Sequence, residues 1–305
     1  MKIQLGFAIF LFWIAGISLM LTVSCQKDKN DDSRETENIS IPLVKIPAGA
    51  FFMGSPANEV GHNVGEIQHQ VTLSAFHMSK YEITNNQYAE FLNAKMIGND
   101  GTYPTGTSYP KQFLVFASSY GFFNGGLHYE NSKWVPVAGF ENNPVIYVTW
   151  YGANEFAKYV GGNLPTEAQW EYACRSNTTT PFNTGDCLSN TQANYFWAWP
   201  FNTCTNTDTV LLNKTQPVGT YGANAYGLYD MHGNVGEWCS DWWDSRYPAT
   251  TQTNPTGPAT GTQKVIRGGG FHSVAQYCRS ANRSYGSEGN YIIEGPIGFR
   301  IILVQ

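Results

Sequence analysis

Charge is scarce in this 305-residue chain, and a basic surplus is absent. Only 13% of residues are Asp, Glu, Lys or Arg, and 18 basic residues face 23 acidic ones, for a net charge of −5. Binding to nucleic acid needs a concentrated positive footprint, so no nucleic-acid partner is expected. Sustained heptads and short-period repeats are also missing, which excludes a coiled coil or a solenoid. Cysteine is sparse, with 6 residues, and no pair has the tight spacing of a zinc or thioredoxin-type site. The histidines (His62, His69, His77, His128, His232 and His272) never fall four residues apart on one helix, as a helical zinc motif requires. No nucleophile elbow, phosphate loop or dinucleotide fingerprint occurs.

Aromatic residues and glycine are abundant instead, at 15% of the chain and 31 residues. That composition suits a loop-rich fold carrying large rigid side chains. The chain opens with MKIQLGFAIFLFWIAGISLMLTVSC, a basic start, a long apolar run and small residues before Cys25. This pattern reads as a secretory signal over residues 1–24, although the run is also long enough to span a membrane. Val23-Ser24-Cys25 resembles a bacterial lipobox, which implies lipidation at Cys25. The following residues, to 40, are charged and free of aromatics, as expected of a disordered tether. Their Lys-Asp pairs resemble the surface-export signals of Bacteroides-type lipoproteins. The expectation is an outer-membrane lipoprotein, periplasmic or surface-exposed, held to the membrane by its N-terminal lipid anchor.

Residues 41–305 then form one domain, with an insertion at 103–143 whose LHYENSKWVPV reads as a hairpin. IPLVKIPAGAFFMGS and QVTLSAFHMSKYEIT alternate as strands. Thr84 with Gln87, and Thr166 with Gln169, are capping boxes that open helices. YGANEFAKYV places Ala153, Phe156, Ala157 and Val160 along one stripe. The fold class is α+β, with two main short helices against an irregular antiparallel sheet. Besides Cys25, five cysteines remain for an oxidising compartment, so at least one is unpaired. Cys187 and Cys204 flank a loop that a disulfide would staple.

The segments IPAGAFFMGS, YEITNNQYAEFL, PVIYVTWYGANEFAKYVGG, LPTEAQWEYACR, YGLYDMHGNVGEWCSDWW, VIRGGGF and IGFR occur in the order typical of the formylglycine-generating enzyme family, also called sulfatase-modifying factor domains. The resemblance spans essentially all of residues 41–305. It implies a variant of the C-type lectin fold and, for characterised members, copper- and oxygen-dependent oxidation of a sulfatase cysteine to formylglycine. It also implies a disulfide near Cys174 and Cys278. Oxygen-only donors around the YDMHGNVGEW turn suit calcium. Asp230 and Glu237, with the carbonyls of Gly233 and Val235, match a calcium site of the family. The alternative is that Asp230 caps a turn while Glu237 pairs with an arginine. A second family site would use Asn194, the carbonyl of Tyr195 and Asp208. Glu66 matches another acidic family position, or else is an exposed loop residue.

The family's enzymes carry two cysteines shortly after the glycine turn, and soft copper(I) needs both thiolates. Here His272, Ser273, Val274, Ala275, Gln276 and Tyr277 separate Phe271 from the lone Cys278, so copper oxidation is not expected and no catalytic residue is assigned. The main reading is a ligand-binding module for an extracellular protein or glycan. Its surface comprises His272, Ser273, Val274, Tyr277, Ser284, Tyr285, Gly286 and Ser287, with Tyr195, Trp197, Trp199 and Tyr291 as further aromatic contacts. RGGGFHSVAQYCRSANRSYGS also resembles the variable segment of retroelement-diversified lectin-fold proteins. The alternatives are a formylglycine-generating oxidase and a structural lipoprotein of an envelope or gliding machine.

Overall fold

A computed structural model describes residues 39–103, 112–117, 125–196, 198–205, 211–289 and 296–303. The signal segment, Cys25, Trp197, Asp208, Tyr291 and most of the tether lie outside them. Ile39 is already buried against the first helix's core cluster, so packing begins two residues before the expected domain start.

The described residues form twelve short strands and three α-helices. Strands β1 (Leu43–Ile46), β2 (Gly49–Met53), β3 (His69–Leu73) and β4 (Phe76–Ser79) precede α1 (Asn85–Ala94). The hairpin β5 (Leu127–Glu130) and β6 (Lys133–Pro136) is followed by α2 (Trp150–Tyr159) and α3 (Glu167–Arg175). Six strands close the chain: β7 (Gly236–Trp242), β8 (Gln252–Thr253), β9 (Lys264–Arg267), β10 (Ser284–Gly286), β11 (Ile297–Gly298) and β12 (Ile302–Leu303). They pair as four small sheets, in the orders β1-β4-β12, β10-β9-β7-β11, β2-β3-β8 and β5-β6. The three helices stand at the two capping boxes and at the YGANEFAKYV stripe. The mixed sheets also contain parallel pairs, β11 with β7 and β8 with β3, beside the expected antiparallel ones.

Local chemistry explains the element ends. Both capping boxes form: Thr84 N–H donates to Gln87 Oε1 at 2.9 Å, and Thr166 N–H to Gln169 Oε1 at 2.9 Å. Each threonine hydroxyl accepts from the third helical amide in return, satisfying two otherwise orphaned donors. Thr149 caps α2 in the simpler manner, accepting from Gly152 N–H at 3.1 Å. Gly152 cannot carry a side chain, because a Cβ there would lie 2.1 Å from the Leu114 carbonyl oxygen. α2 therefore packs directly on the backbone of the inserted region. That region is part of the core: Leu114, Leu127 and Trp134 are buried in one cluster with α1, α2 and Phe299. Its hairpin forms at the expected residues, turning through Asn131 and Ser132, both at positive φ. The hairpin is fastened to α1 by Asn93, which accepts from Trp134 N–H and donates to its carbonyl, each at 2.8 Å.

A second core lies around α3, where Trp170 and Cys174 meet Val71, Leu73, Phe76, Met78 and Val265. The inward residues of β3 are His69, Val71 and Leu73, as the period-two alternation predicts. A third, smaller cluster joins Phe182, Tyr195, Phe201 and Cys204 to Ala275 and Cys278. The Cys187–Cys204 disulfide closes the loop beside it, with a Cα separation of 5.7 Å.

Candidate functional site

The segment after β9 is set by two glycines in the left-handed region, Gly268 (φ 91°) and Gly269 (φ 69°). A Cβ on Gly269 would sit 2.8 Å from Cys278 Sγ and 2.9 Å from the Tyr277 carbonyl oxygen. Any larger residue would push the following turn off the scaffold. The turn then returns as one 3-10 turn, Ala275–Cys278. Its backbone interlocks with the YDMHGNVGEW turn. Gly233 N–H donates to the Gly268 carbonyl at 2.9 Å, Phe271 N–H to the Asn234 carbonyl at 3.0 Å, and His232 Nδ1–H to the Cys278 carbonyl at 2.7 Å. Burial lowers the His232 pKa to about 4, so the ring is neutral and acts as a structural donor.

Three arginines fasten the same segment to distant parts of the chain. Arg267 donates to Glu171 at 2.6 Å, to Glu167 at 3.2 Å and to the Ser280 carbonyl at 2.7 Å. Arg279 holds Glu66 through both nitrogens at 2.9 and 3.0 Å, and Glu59 at 2.6 Å. Arg283 takes Glu167 bidentately at 2.7 and 2.9 Å, with its guanidinium 3.8 Å from the Tyr247 ring centroid and 4.4 Å from that of Trp243. Burial alone would raise the Glu167 carboxyl, but Arg283 and Arg267 outweigh it and hold its pKa below the usual range. Glu66 is thus a buried anchor and not an exposed loop residue.

Between these anchors the side chains divide cleanly. Phe271, Ala275, Cys278, Arg279, Ser280 and Ala281 are buried. Tyr277 is 54% exposed and Tyr285 40% exposed; Ser287 is exposed, and His272, Ser273, Val274 and Ser284 are half-buried. His272, Ser273, Val274, Tyr277 and Ser284 line one groove of about 450 Å³, together with Arg283. Tyr285 stands apart from that lining and packs on Trp243, with centroids 4.7 Å apart. Two surface assignments need correction. Gly286 is buried, because it occupies the inward register of β10 opposite Lys264. Tyr195 is a core residue whose hydroxyl donates to the Leu188 carbonyl at 2.7 Å. Trp199 is 71% exposed.

The thiols do not pair as the resemblance implied. Cys174 and Cys278 are both free and buried. Cys174 Sγ faces the Ser280 hydroxyl at 3.6 Å and His232 Nε2 at 3.8 Å. Burial pushes both thiols up to about 12.

Around the other turn, Glu237 accepts from Arg300 through both oxygens at 2.6 and 2.7 Å, and from Trp170 Nε1–H at 2.8 Å. Asp230, at φ 56°, accepts from Gly219 N–H at 2.6 Å. These contacts are the turn-capping and arginine-pairing alternative. The cluster is nevertheless rich in carboxyl groups. Glu82, Asp230 and Glu237 all act on the single Arg300. Burial raises the Asp230 pKa to about 6, and burial with repulsion from Asp230 and Glu237 raises that of Glu82. Glu82 Oε1 is buried with no hydrogen-bond partner. No group of three or more His, Cys, Asp or Glu side chains is spaced to hold a metal among the described residues. At the second candidate set, the Asn194 carbonyl accepts from Asn234 N–H at 2.8 Å, and Asp208 lies outside the described residues.

The fold is that of a C-type-lectin-like domain: small mixed sheets, few helices and long structured loops. Residues 29–304 match the model of the sulfatase-modifying factor enzyme 1-like domain, and the chain belongs to that family. A formylglycine-generating enzyme of Streptomyces coelicolor is 32% identical over 84% of this chain and 87% of its own length. The serine/threonine-protein kinase pkn1 of Chlamydia caviae is 31% identical over 91% of this chain, which spans only 40% of that kinase. Among solved structures, PvdO from Pseudomonas aeruginosa is 26% identical with a TM-score of 0.62, covering 86% of this chain and 94% of its own. Treponema denticola variable protein 1 shares the fold at 24% identity and a TM-score of 0.58, over 85% and 94% of the two chains.

The division between anchors and exposed positions predicts two classes of substitution. Tyr277→Ala should change unfolding free energy by less than about 0.5 kcal/mol, and Tyr285→Ala by about 1 kcal/mol through its lost ring contact. Arg279→Ala should cost about 3–5 kcal/mol, because it strands two buried carboxylates. Urea midpoints of the full chain check the order; a Tyr277 variant less stable than the Arg279 variant would refute the division.

Proposed function

We propose that this chain is an envelope-anchored recognition module of the sulfatase-modifying factor family, which holds an extracellular protein or glycan in the groove after its glycine turn. The observation that carries this reading is the separation of roles within one segment. Buried arginines and glycines set the backbone, while His272, Ser273, Val274, Tyr277 and Ser284 face one cavity. Tyrosine supplies large contact area at low entropic cost, and substitutions at exposed positions leave the scaffold intact. The likeness of the segment to retroelement-diversified frames supports the same use, as does the name of the Treponema variable protein that shares the fold. The anchor is the lipid on Cys25, which places the module at the outer membrane.

The enzyme reading has its own support, because several relatives at about this level of identity are named formylglycine-generating enzymes. Against it stands the interval from His272 to Tyr277, which contains no thiol. The one cysteine that follows is fully buried, and copper(I) in that chemistry needs two thiolates. The full chain incubated with a sulfatase-motif peptide, copper(I) and oxygen should therefore leave the peptide cysteine unchanged by mass spectrometry. An aldehyde product lost in Cys278→Ser would establish the oxidase instead.

Calcium is part of the proposal as a structural ion near Asp230, with the carbonyls of Gly233 and Val235. Support comes from three carboxylates sharing one arginine and from the unpartnered Glu82 oxygen. Binding to the folded state alone adds about 2.7 kcal/mol at a hundredfold excess over the dissociation constant. The melting temperature should rise with calcium and fall with EDTA, and Asp230→Asn should weaken the effect. Equal melting in both, with no metal by elemental analysis, would remove calcium from the account.

A further inference from the structure

Arg283 is the wall between two cavities. The larger, of about 600 Å³, is lined by Arg283 together with its partner Glu167; the groove of about 450 Å³ is lined by Arg283 without Glu167. The guanidinium is fixed on three sides. Nε and Nη2 are spent on Glu167, and the Tyr247 and Trp243 rings cover its faces. A planar group held this way has one edge left, at Nη1, on the side away from Glu167. Nη1 is buried and has no hydrogen-bond partner, and the Arg283 side chain is only 4% exposed. A buried donor without an acceptor is costly.

The groove's polarity points the same way. Arg175, Arg267, Arg279 and Arg283 are balanced by Glu59, Glu66, Glu167 and Glu171. Among the described residues the groove's lining contains no carboxylate: beside Arg283 it offers Asn63, His272, Ser273, Tyr277, Asn282 and Ser284 as polar side chains. Tyrosine, serine and asparagine can complete the hydrogen bonding of an acid, and Ile266, Val274 and Ile297 exclude water around it.

We infer that the groove takes a ligand through a carboxylate, whose oxygen accepts from Arg283 Nη1. This rests on the reading of the groove as a recognition site and adds the ligand's chemical class to it. The carboxylate can belong to an acidic sugar or to a peptide; the anchoring contact is the same. The fixed geometry makes the contact specific, because a guanidinium already clamped loses little entropy when it forms another hydrogen bond.

The test uses sodium acetate as the probe, with acetamide, sodium sulfate and sodium chloride at matched ionic strength, and reads the melting temperature of the full chain. Acetate should raise it in a saturable way, by about 2–4 °C at roughly tenfold excess over its dissociation constant, whereas acetamide and the other salts should not. Arg283→Lys should abolish the shift by removing Nη1. Because that change also weakens the pair with Glu167, Ser284→Trp serves as a second variant: it fills the groove, leaves the pair intact, and should abolish the shift too. A shift that acetamide or sulfate reproduces, or that survives in Ser284→Trp, overturns the inference. With a probe in hand, a glutamate-terminated peptide and glucuronic acid then separate the two sources by competition. If acetate has no effect while acetamide or free glucose raises the melting temperature and Tyr277→Ala removes that rise, the carboxylate falls and the recognition site stands; if none of these probes has any effect, both fall.

Discussion

The structure depends on buried carboxylates meeting arginines that lie later in the chain, in the protein interior. Arg279 reaches Glu66 across 213 residues of sequence, and Arg267 reaches Glu171 across 96. Each pair is removed from water, so neither charge tolerates the loss of its partner. Ion pairs of this kind add little net stability over well-packed apolar groups, since desolvation offsets most of the attraction. Their consequence is positional. The path that the 267–283 backbone takes satisfies Glu59, Glu66, Glu167 and Glu171 together, and it leaves a defined set of side chains facing outward.

Much of this was legible locally. Threonine and glutamine three residues apart announced two helix starts, alternation gave the inward face of β3, and Asn131-Ser132 lay where the hairpin turns. The exposure of Tyr277 also agrees with its reading as a surface residue. What the sequence hid depends on partners far away in the chain. Glu66 looks like a loop residue until Arg279 folds onto it. Tyr195 looks like a binding aromatic until the Leu188 carbonyl takes its hydroxyl. Gly286 falls on the inner register of a strand only three residues long, too short to show a period. The expected insertion is core because Gly152 lets α2 press on Leu114, a contact that no local pattern signals. Cys174 meets Ser280 and His232 instead of a second thiol, which depends on the placement of three separate elements.

Scaffold and surface are therefore separable within one short stretch. Between Phe271 and Cys278 this sequence offers a histidine, small residues, a glutamine and a tyrosine, on a backbone that the glycine turn and the buried arginines hold. A fold that fixes its backbone through buried arginines can change those side chains, and with them its chemistry, at little structural cost.

The most direct measurement is a crystal structure of the full chain with His272, Val274, Tyr277, Tyr285 and Ser287 all changed to alanine. If the arginine network sets the backbone path, residues 267–283 should superpose on the parent within about 1 Å, the scale of change in preorganised sites. Arg279 should remain on Glu66 and Arg283 on Glu167. A segment that takes a new path, with either pair broken, would show that the exposed side chains hold the backbone and would contradict the account.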